Sequence, residues 1–337
     1  MVYLLCYDWL STRGNHAGMS HLCDMLVERY PDEMVVIKNY QPKATKYFPY
    51  QRINRVIDNY RVLVQNWIFQ KKFQKMLTQI KDGDTVLLME YIHPLVNQTN
   101  FAKQIKYRNP NVKVVGLAHL TPSALAELNV GSDNMSYWEK PVDAIMTLGH
   151  SLSDWLIQQG VSEKKIITAF HYVDAKYYHR TQTIRTDKVR VICMGNLQRN
   201  FSVLEDIVKR CPDAEFTICA GKMNLPQFEK YTNVRLLGYL TENQLKEEME
   251  SANVSLNVMD DTVGSNVITT SMAMGLAMVV SDVGSIHDYC DETNAIFCKT
   301  VDDFVTALKT IDVKAKSEAS LKKLSNLTIE SFYQLLR

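Results

Sequence analysis

The 337-residue chain has no run of about 18 apolar residues, so nothing in it reads as a membrane-spanning helix. It also has almost no net charge: Lys+Arg 38 against Asp+Glu 37 leaves +1. That balance argues against a nucleic-acid binder relying on bulk charge, and no nucleic-acid partner is expected. Seven cysteines are present, but no two have CxxC spacing and no Cys/His cluster accompanies them. A thiolate zinc site and a cysteine nucleophile are therefore not expected. Cys6, Cys193 and Cys219 lie in apolar runs and read as reduced core thiols. The first residues, MVYLLCYDWLSTRGNHAG, lack the basic region and long apolar core of a signal peptide. A cytoplasmic protein is expected, at the inner membrane face if a basic segment described below touches it. GxGxxG, short repeats and low-complexity tracts are all missing.

What is present is ordinary globular composition, 46% hydrophobic and 22% charged, in a length that suggests two domains. Short apolar runs alternate with helix-like stretches: VYLLCY, MVVIKNY, TVLLMEY, VKVVGLAH and AIMTLG, then VRVICMG, EFTICAG, VRLLGY, VSLNVM and AMVVSD. Continuous apolar strands separated by helices indicate parallel sheets covered on both faces. The polar stretch Tyr177–Lys188 separates the two series. Expected domains are residues 1–182, residues 183–318, and a last helix in 319–337 packing back toward the first domain, with Thr328 as its cap.

Ligand crevices in such sheets lie outside the carboxyl ends of the strands, so strand-end residues are the candidates. STRGNHAG, after the first strand, carries Gly14 and Gly18; it is either an ordinary strand–helix turn or an anion-approach loop. His119, past VKVVGLA, is either a structural histidine or a proton carrier and donor to a sugar hydroxyl. Pro122 is expected to limit helix extension there. Glu90 and His93, after TVLLM, are candidates for holding an acceptor. Arg199, before the helix containing Leu204, and Lys222, ending the next strand, suit a diphosphate. Ser265 or Asn266 can cap a helix running to about Met274 and closed by Gly275, leaving the backbone N–H groups of Gly264, Ser265, Asn266 and Val267 as an anion cradle. Between Gln41 and Lys81, nine basic residues face one acid, Asp58, with Tyr47, Phe48, Tyr50, Tyr60, Trp67, Phe69 and Phe73 interleaved. That segment is either a set of solvated basic helix faces or a patch for an anionic membrane surface or a pyrophosphate-bearing acceptor.

Together these segments resemble the GT-B glycosyltransferases, most closely the large retaining family four. SNVITTSMAMGLAMVVSDVGS is similar to that family's PNVLLEAMAxGxPVVAxDVGG. FHYVDAKYYH is similar to its HGVDxxxF signature, and MTLGHSLSDWLIQQGVSEKKI to its last N-terminal strand and helix. Aligned so, Thr262 and Thr270 stand where the family has two Glu, and Ala277 where it has Pro. The usual GR…KG pattern around Arg199 is not intact.

The resemblance implies two Rossmann-like α/β domains facing across a cleft, the first binding the acceptor and the second a nucleotide-sugar. It implies sugar transfer to a glycan or lipid-linked hydroxyl in surface-polysaccharide or glycolipid assembly, without a metal or other cofactor. His119 would stand near the transferred sugar, opposite the Ser265–Asn266 turn, and Asp260 or Asp261 would take the place of the first acid. His119 and Asp261 are thus the expected catalytic residues. Donor contacts would fall to Gly18, Arg199, Lys222, Gly264, Ser265, Asn266, Val267 and Thr270. Acceptor contacts would fall to Asn15, His16, Glu90 and His93. The alternatives are a non-catalytic glycosyltransferase-like binding subunit and a nucleotide-sugar 2-epimerase.

Overall fold

The computed structural model describes residues 1–44, 50–93, 96 and 98–337. Among these residues, twelve strands form two six-stranded sheets in which every paired neighbour is parallel. The first sheet holds β1 (Val2–Asp8), β2 (Met34–Tyr40), β3 (Thr85–Leu88), β4 (Lys113–Leu117), β5 (Ala144–Thr147) and β6 (Ile166–Thr168), in the order β2-β1-β3-β4-β5-β6. The second holds β7 (Arg190–Met194), β8 (Glu215–Cys219), β9 (Val234–Leu237), β10 (Val254–Asn257), β11 (Ala277–Ser281) and β12 (Ala295–Cys298), in the order β12-β11-β10-β7-β8-β9. The α/β class with helix-covered parallel sheets is as the sequence implies. β3, β5, β10 and β11 are buried at every position because helices cover both faces.

The chain divides into two compact units. The first comprises Met1–Leu148, Ser153–Ala169 and Phe332–Arg337; the second comprises Gly149–Leu152 and Phe170–Ser331. The division thus falls earlier than the polar stretch Tyr177–Lys188. Arg180 explains why residues beyond Ala169 go with the second unit. Its half-buried guanidinium donates to the carbonyls of Met249, Glu250, Ala252 and Met274, at 2.6–3.1 Å. In the first unit Tyr333 stacks on Tyr30, with ring centroids 3.8 Å apart, and its hydroxyl donates to Glu33. Thr328 caps the last helix, Ile329–Gln334, accepting from the Ser331 N–H at 3.1 Å.

Local chemistry sets several helix starts. Thr241 with Gln244, and Thr300 with Asp303, form capping boxes. Pro122 does not block a helix: it opens one, Pro122–Glu127, with Thr121 accepting from the Ala124 N–H at 3.2 Å. A first-turn proline loses no intrahelical bond and has its φ already set. All seven cysteines are buried and free, and burial pushes the Cys219, Cys290 and Cys298 thiols up to about 12. Among the described residues, no helix is long and apolar enough to cross a membrane.

Candidate functional site

Each sheet has one point where the chain's winding reverses, and the crevice at that point is where doubly wound sheets bind ligands. In the first sheet it lies between β1 and β3. Trp9 follows β1 directly, and its indole N–H donates to Glu90 Oε1 at 3.0 Å, joining the loops after the two strands. The Glu90 backbone N–H donates to Gln98 Oε1 at 2.8 Å, which fixes the position of this buried acid. His119, two residues past β4, places Nε2 3.3 Å from Glu90 Oε2. The two are close enough for an ion pair but not aligned as a hydrogen bond. Glu90 Oε2 and His119 Nδ1 are both buried, with no hydrogen-bond partner among the described residues. The His119 side chain is 24% exposed, so it stands at the edge of the sheet with one side open to solvent.

His93 completes the group, with ring centroids 6.0 Å from Trp9 and 6.4 Å from His119. Burial holds its pKa below the ordinary value, outweighing the opposite pull of Glu90. Ile92, between Tyr91 and His93, has φ +51, a region that β-branched residues avoid. Such strain tends to collect at sites where geometry is imposed by function. The structure therefore brings Glu90, His93 and His119 together and adds Trp9 and Gln98. Asn15 and His16 sit on the loop after β1, where the His16 ring lies against His21 at 4.7 Å. In the same loop Gly14 has φ +79, but Gly18 is extended, at φ −83. What restricts Gly18 is space: a Cβ there would stand 3.3 Å from the Asn15 and Thr12 carbonyl oxygens.

The second sheet reverses between β7 and β10, in the order shared by dinucleotide-binding folds. Here too the loops are tied: the Asn200 N–H donates to the Val258 carbonyl at 3.1 Å, and the Asp260 N–H to the Gln198 carbonyl at 3.1 Å. Gln198 has φ +53, so the residue before Arg199 is also held in a sparsely populated conformation. Arg199 Nε donates to the Met194 carbonyl at 3.1 Å. Its terminal nitrogens have no hydrogen-bond or ion-pair partner among the described residues. Desolvation pushes its pKa down to about 10. The guanidinium and Val267 both lie against Gly195, so the cation stands beside the start of the helix Asn266–Ala273.

Ser265 caps that helix: its side chain accepts from the Ile268 N–H at 3.4 Å. Gly275, at φ +63, ends it. The first-turn N–H groups of Asn266 and Val267 have no intrahelical acceptor, and Asn266 Oδ1 is buried with no hydrogen-bond partner among the described residues. With Arg199 alongside, this is a place for an anion.

Two expected donor contacts need correcting. The Gly264 N–H is already given to Thr262 Oγ1, at 3.1 Å, so the cradle starts at Ser265. Thr270 is buried, and its hydroxyl donates to the Asn266 carbonyl at 2.6 Å, which uses it inside the helix. Gly264 instead serves packing: at φ +89, a Cβ would overlap the buried ring of Tyr289, whose hydroxyl accepts the His171 N–H at 2.8 Å. Asp261 Oδ1 accepts the Thr262 N–H at 2.7 Å, and Asp260 Oδ1 accepts from Asn200 Nδ2 at 2.9 Å. Lys222 is exposed on the turn after β8. Trp9, Gln98, Asn200 and Tyr289 were not among the residues singled out from sequence. Only Trp9 carried a usable signal, by following an apolar strand directly.

Residues 188–311 match the family model for glycosyl transferases group 1. No sequence relative was found among curated proteins. Solved structures similar to the whole chain include the apo form of the lipopolysaccharide outer core galactosyltransferase WaaB, at 12% identity and TM-score 0.65, covering 99% of each chain. A second is Anabaena HepE in complex with UDP-glucose, at 12% identity and TM-score 0.66, covering 100% of this chain and 98% of that one. A third is sucrose-phosphate synthase from Thermosynechococcus elongatus, at 12% identity and TM-score 0.68, covering 99% and 97%. The shared fold is GT-B.

Proposed function

We propose that this GT-B-fold chain, which carries a glycosyl transferases group 1 domain in residues 188–311, moves a sugar from a nucleotide-sugar to a glycan or lipid-linked hydroxyl. The observation carrying this reading is Arg199: a desolvated guanidinium with unpartnered terminal nitrogens, beside a helix N-terminus at the switch point of the second sheet. In the reaction the acceptor oxygen bonds to the anomeric carbon, the bond from that carbon to the diphosphate breaks, and the hydroxyl proton is released. The charge that grows on the leaving diphosphate is met by Arg199, by Lys222 from the turn after β8, and by the N–H groups of Ser265, Asn266 and Val267. These fixed positive groups supply what a metal otherwise would, so activity in a chelator is expected to be undiminished. In the first unit His119, with Glu90 behind it, donates to a sugar hydroxyl. Asn15, His16 and His93 are assigned to the acceptor, Gly18 to close backbone approach and Asp261 to the sugar. HepE has been solved with UDP-glucose, in keeping with a nucleoside-diphosphate donor.

A second reading, a non-catalytic binding subunit, draws support from Thr262 and Thr270. Both are buried and satisfied internally where the family resemblance places acids. Arg199→Ala tests the anion site that both readings need. It is expected to weaken nucleoside-diphosphate binding by about 1.5–3 kcal/mol, roughly 10- to 150-fold, with the thermal midpoint in the absence of ligand little changed. Calorimetric titration with UDP and other nucleoside diphosphates reads this directly, and equal affinity in the variant removes Arg199 from the site. Turnover of a nucleotide-sugar by the wild-type chain separates the enzyme from the binding subunit.

A further inference from the structure

The basic segment Gln41–Lys81 folds, from Gln51 to Gln79, into one 29-residue helix. Lys46, Tyr47 and Phe48 lie outside the described residues. The C-terminal half of the helix is anchored by Phe69, Phe73, Met76 and Leu77, all buried. Its N-terminal half presents a different face. Ile53, Val56, Tyr60, Leu63 and Trp67 recur at alternating spacings of three and four, so they form one continuous stripe. Val56, Tyr60, Leu63 and Trp67 are each 61–68% exposed, and Ile53 is 44% exposed. Single exposed apolar residues are commonplace, but a contiguous stripe of this size marks a surface that is covered by something.

The charge around the stripe identifies what covers it. The helix holds six basic residues, Arg52, Arg55, Arg61, Lys71, Lys72 and Lys75, and one acid, Asp58. On a helical projection Arg52 and Lys71 border the stripe on opposite sides, and Lys71 also lies 5.5 Å from the Trp67 ring. Beside Tyr60 a cavity of about 460 Å³ is lined by Arg13, Lys43 and Arg61 together with Tyr40. Arg13 is paired with Asp8, and the Arg61 guanidinium donates to the Lys43 carbonyl at 2.9 Å. A second copy of the helix would set these cations against their own kind. A surface that is apolar beneath and anionic above matches both the stripe and its border.

We infer that this stripe lies on an anionic phospholipid bilayer, with Ile53, Val56, Tyr60, Leu63 and Trp67 seated at the acyl boundary and the flanking cations among the phosphates. This goes beyond the transferase reading and does not depend on it. The test is co-sedimentation of the full chain with vesicles of phosphatidylcholine alone or mixed with phosphatidylglycerol, at low and high salt. Binding is expected to be at least about tenfold stronger to the mixed vesicles and to weaken with salt. Trp67 emission should shift to the blue on binding. Leu63→Ser with Trp67→Ser should abolish binding to both vesicle types. Arg52→Gln with Arg55→Gln and Lys71→Gln should abolish only the preference for the anionic lipid. Because vesicle binding is read without any sugar donor, its failure leaves the transferase proposal standing, and the reverse holds too. Equal recovery with the two vesicle types overturns the inference. So does unchanged binding by the serine variant, or a dimer that the serine variant dissolves.

Discussion

His119→Ala is expected to lower turnover about a hundredfold or more while leaving nucleoside-diphosphate affinity unchanged. The split follows from where the groups sit. His119 belongs to the first unit, at the carboxyl edge of its sheet, whereas Arg199 and the Ser265 turn belong to the second. On the proposed assignment, removing the imidazole deletes a contact to the sugar and leaves the proposed diphosphate contacts intact. Glu90→Gln supplies the companion result. It keeps the shape behind the ring and its bond from Trp9 but removes the charge 3.3 Å from Nε2, so turnover should fall less than in His119→Ala. Steady-state kinetics alongside calorimetric titration checks both. Normal turnover by His119→Ala, with only a lowered melting temperature, assigns the residue a structural role.

Gly284→Ala is expected to destabilise the second unit by about 3 kcal/mol, which lowers its melting temperature by roughly 10 °C. Gly284 has φ +53, and a Cβ there would overlap the backbone nitrogen and oxygen of Thr262. A backbone group cannot step aside as a flexible side chain does. The next residue fixes the arrangement further: the Ser285 N–H donates to the Thr262 carbonyl at 2.7 Å, and Ser285 Oγ accepts from the Ser151 N–H at 2.9 Å. Gly238→Ala is the control, since a Cβ there meets nothing within 4 Å. Its effect should stay within about 0.5 kcal/mol. Equal melting temperatures for the two variants would contradict this reading of the loop.

The strands that were legible in the sequence are those whose burial on both faces produced unbroken apolar runs, such as Leu4–Cys6 in β1 and Met278–Val280 in β11. β6 and β12 were not, and both are edge strands. Every residue of β6 is only half-buried, and so are the two central residues of β12, which blurs the contrast with the flanking loops. Strand-end positions were readable because direction follows from sequence order, and this placed Glu90, His93, His119 and Arg199 at carboxyl ends. The partners of those residues were not readable. Trp9 meets Glu90 across 81 positions, and the Tyr289 hydroxyl meets the His171 N–H across 118. Thr270 and Gly264 were misassigned for the opposite reason: each is satisfied by a neighbour within four residues, which spacing alone does not reveal. The basic and aromatic make-up of Gln41–Lys81 was legible, but which aromatics face outward was not: Tyr60 and Trp67 are exposed, whereas Phe69 and Phe73 are buried.

Sugar transfer from a nucleotide-sugar is the central claim, and release of nucleoside diphosphate is its most direct readout. The full chain is incubated in chelator with a panel of nucleotide-sugars, with and without lipid and glycan acceptors, beside Arg199→Ala. At least one donor should release its nucleoside diphosphate faster than without protein, acceptor should accelerate the release, and Arg199→Ala should slow it. A panel in which no donor is turned over, with or without acceptor, would contradict the claim.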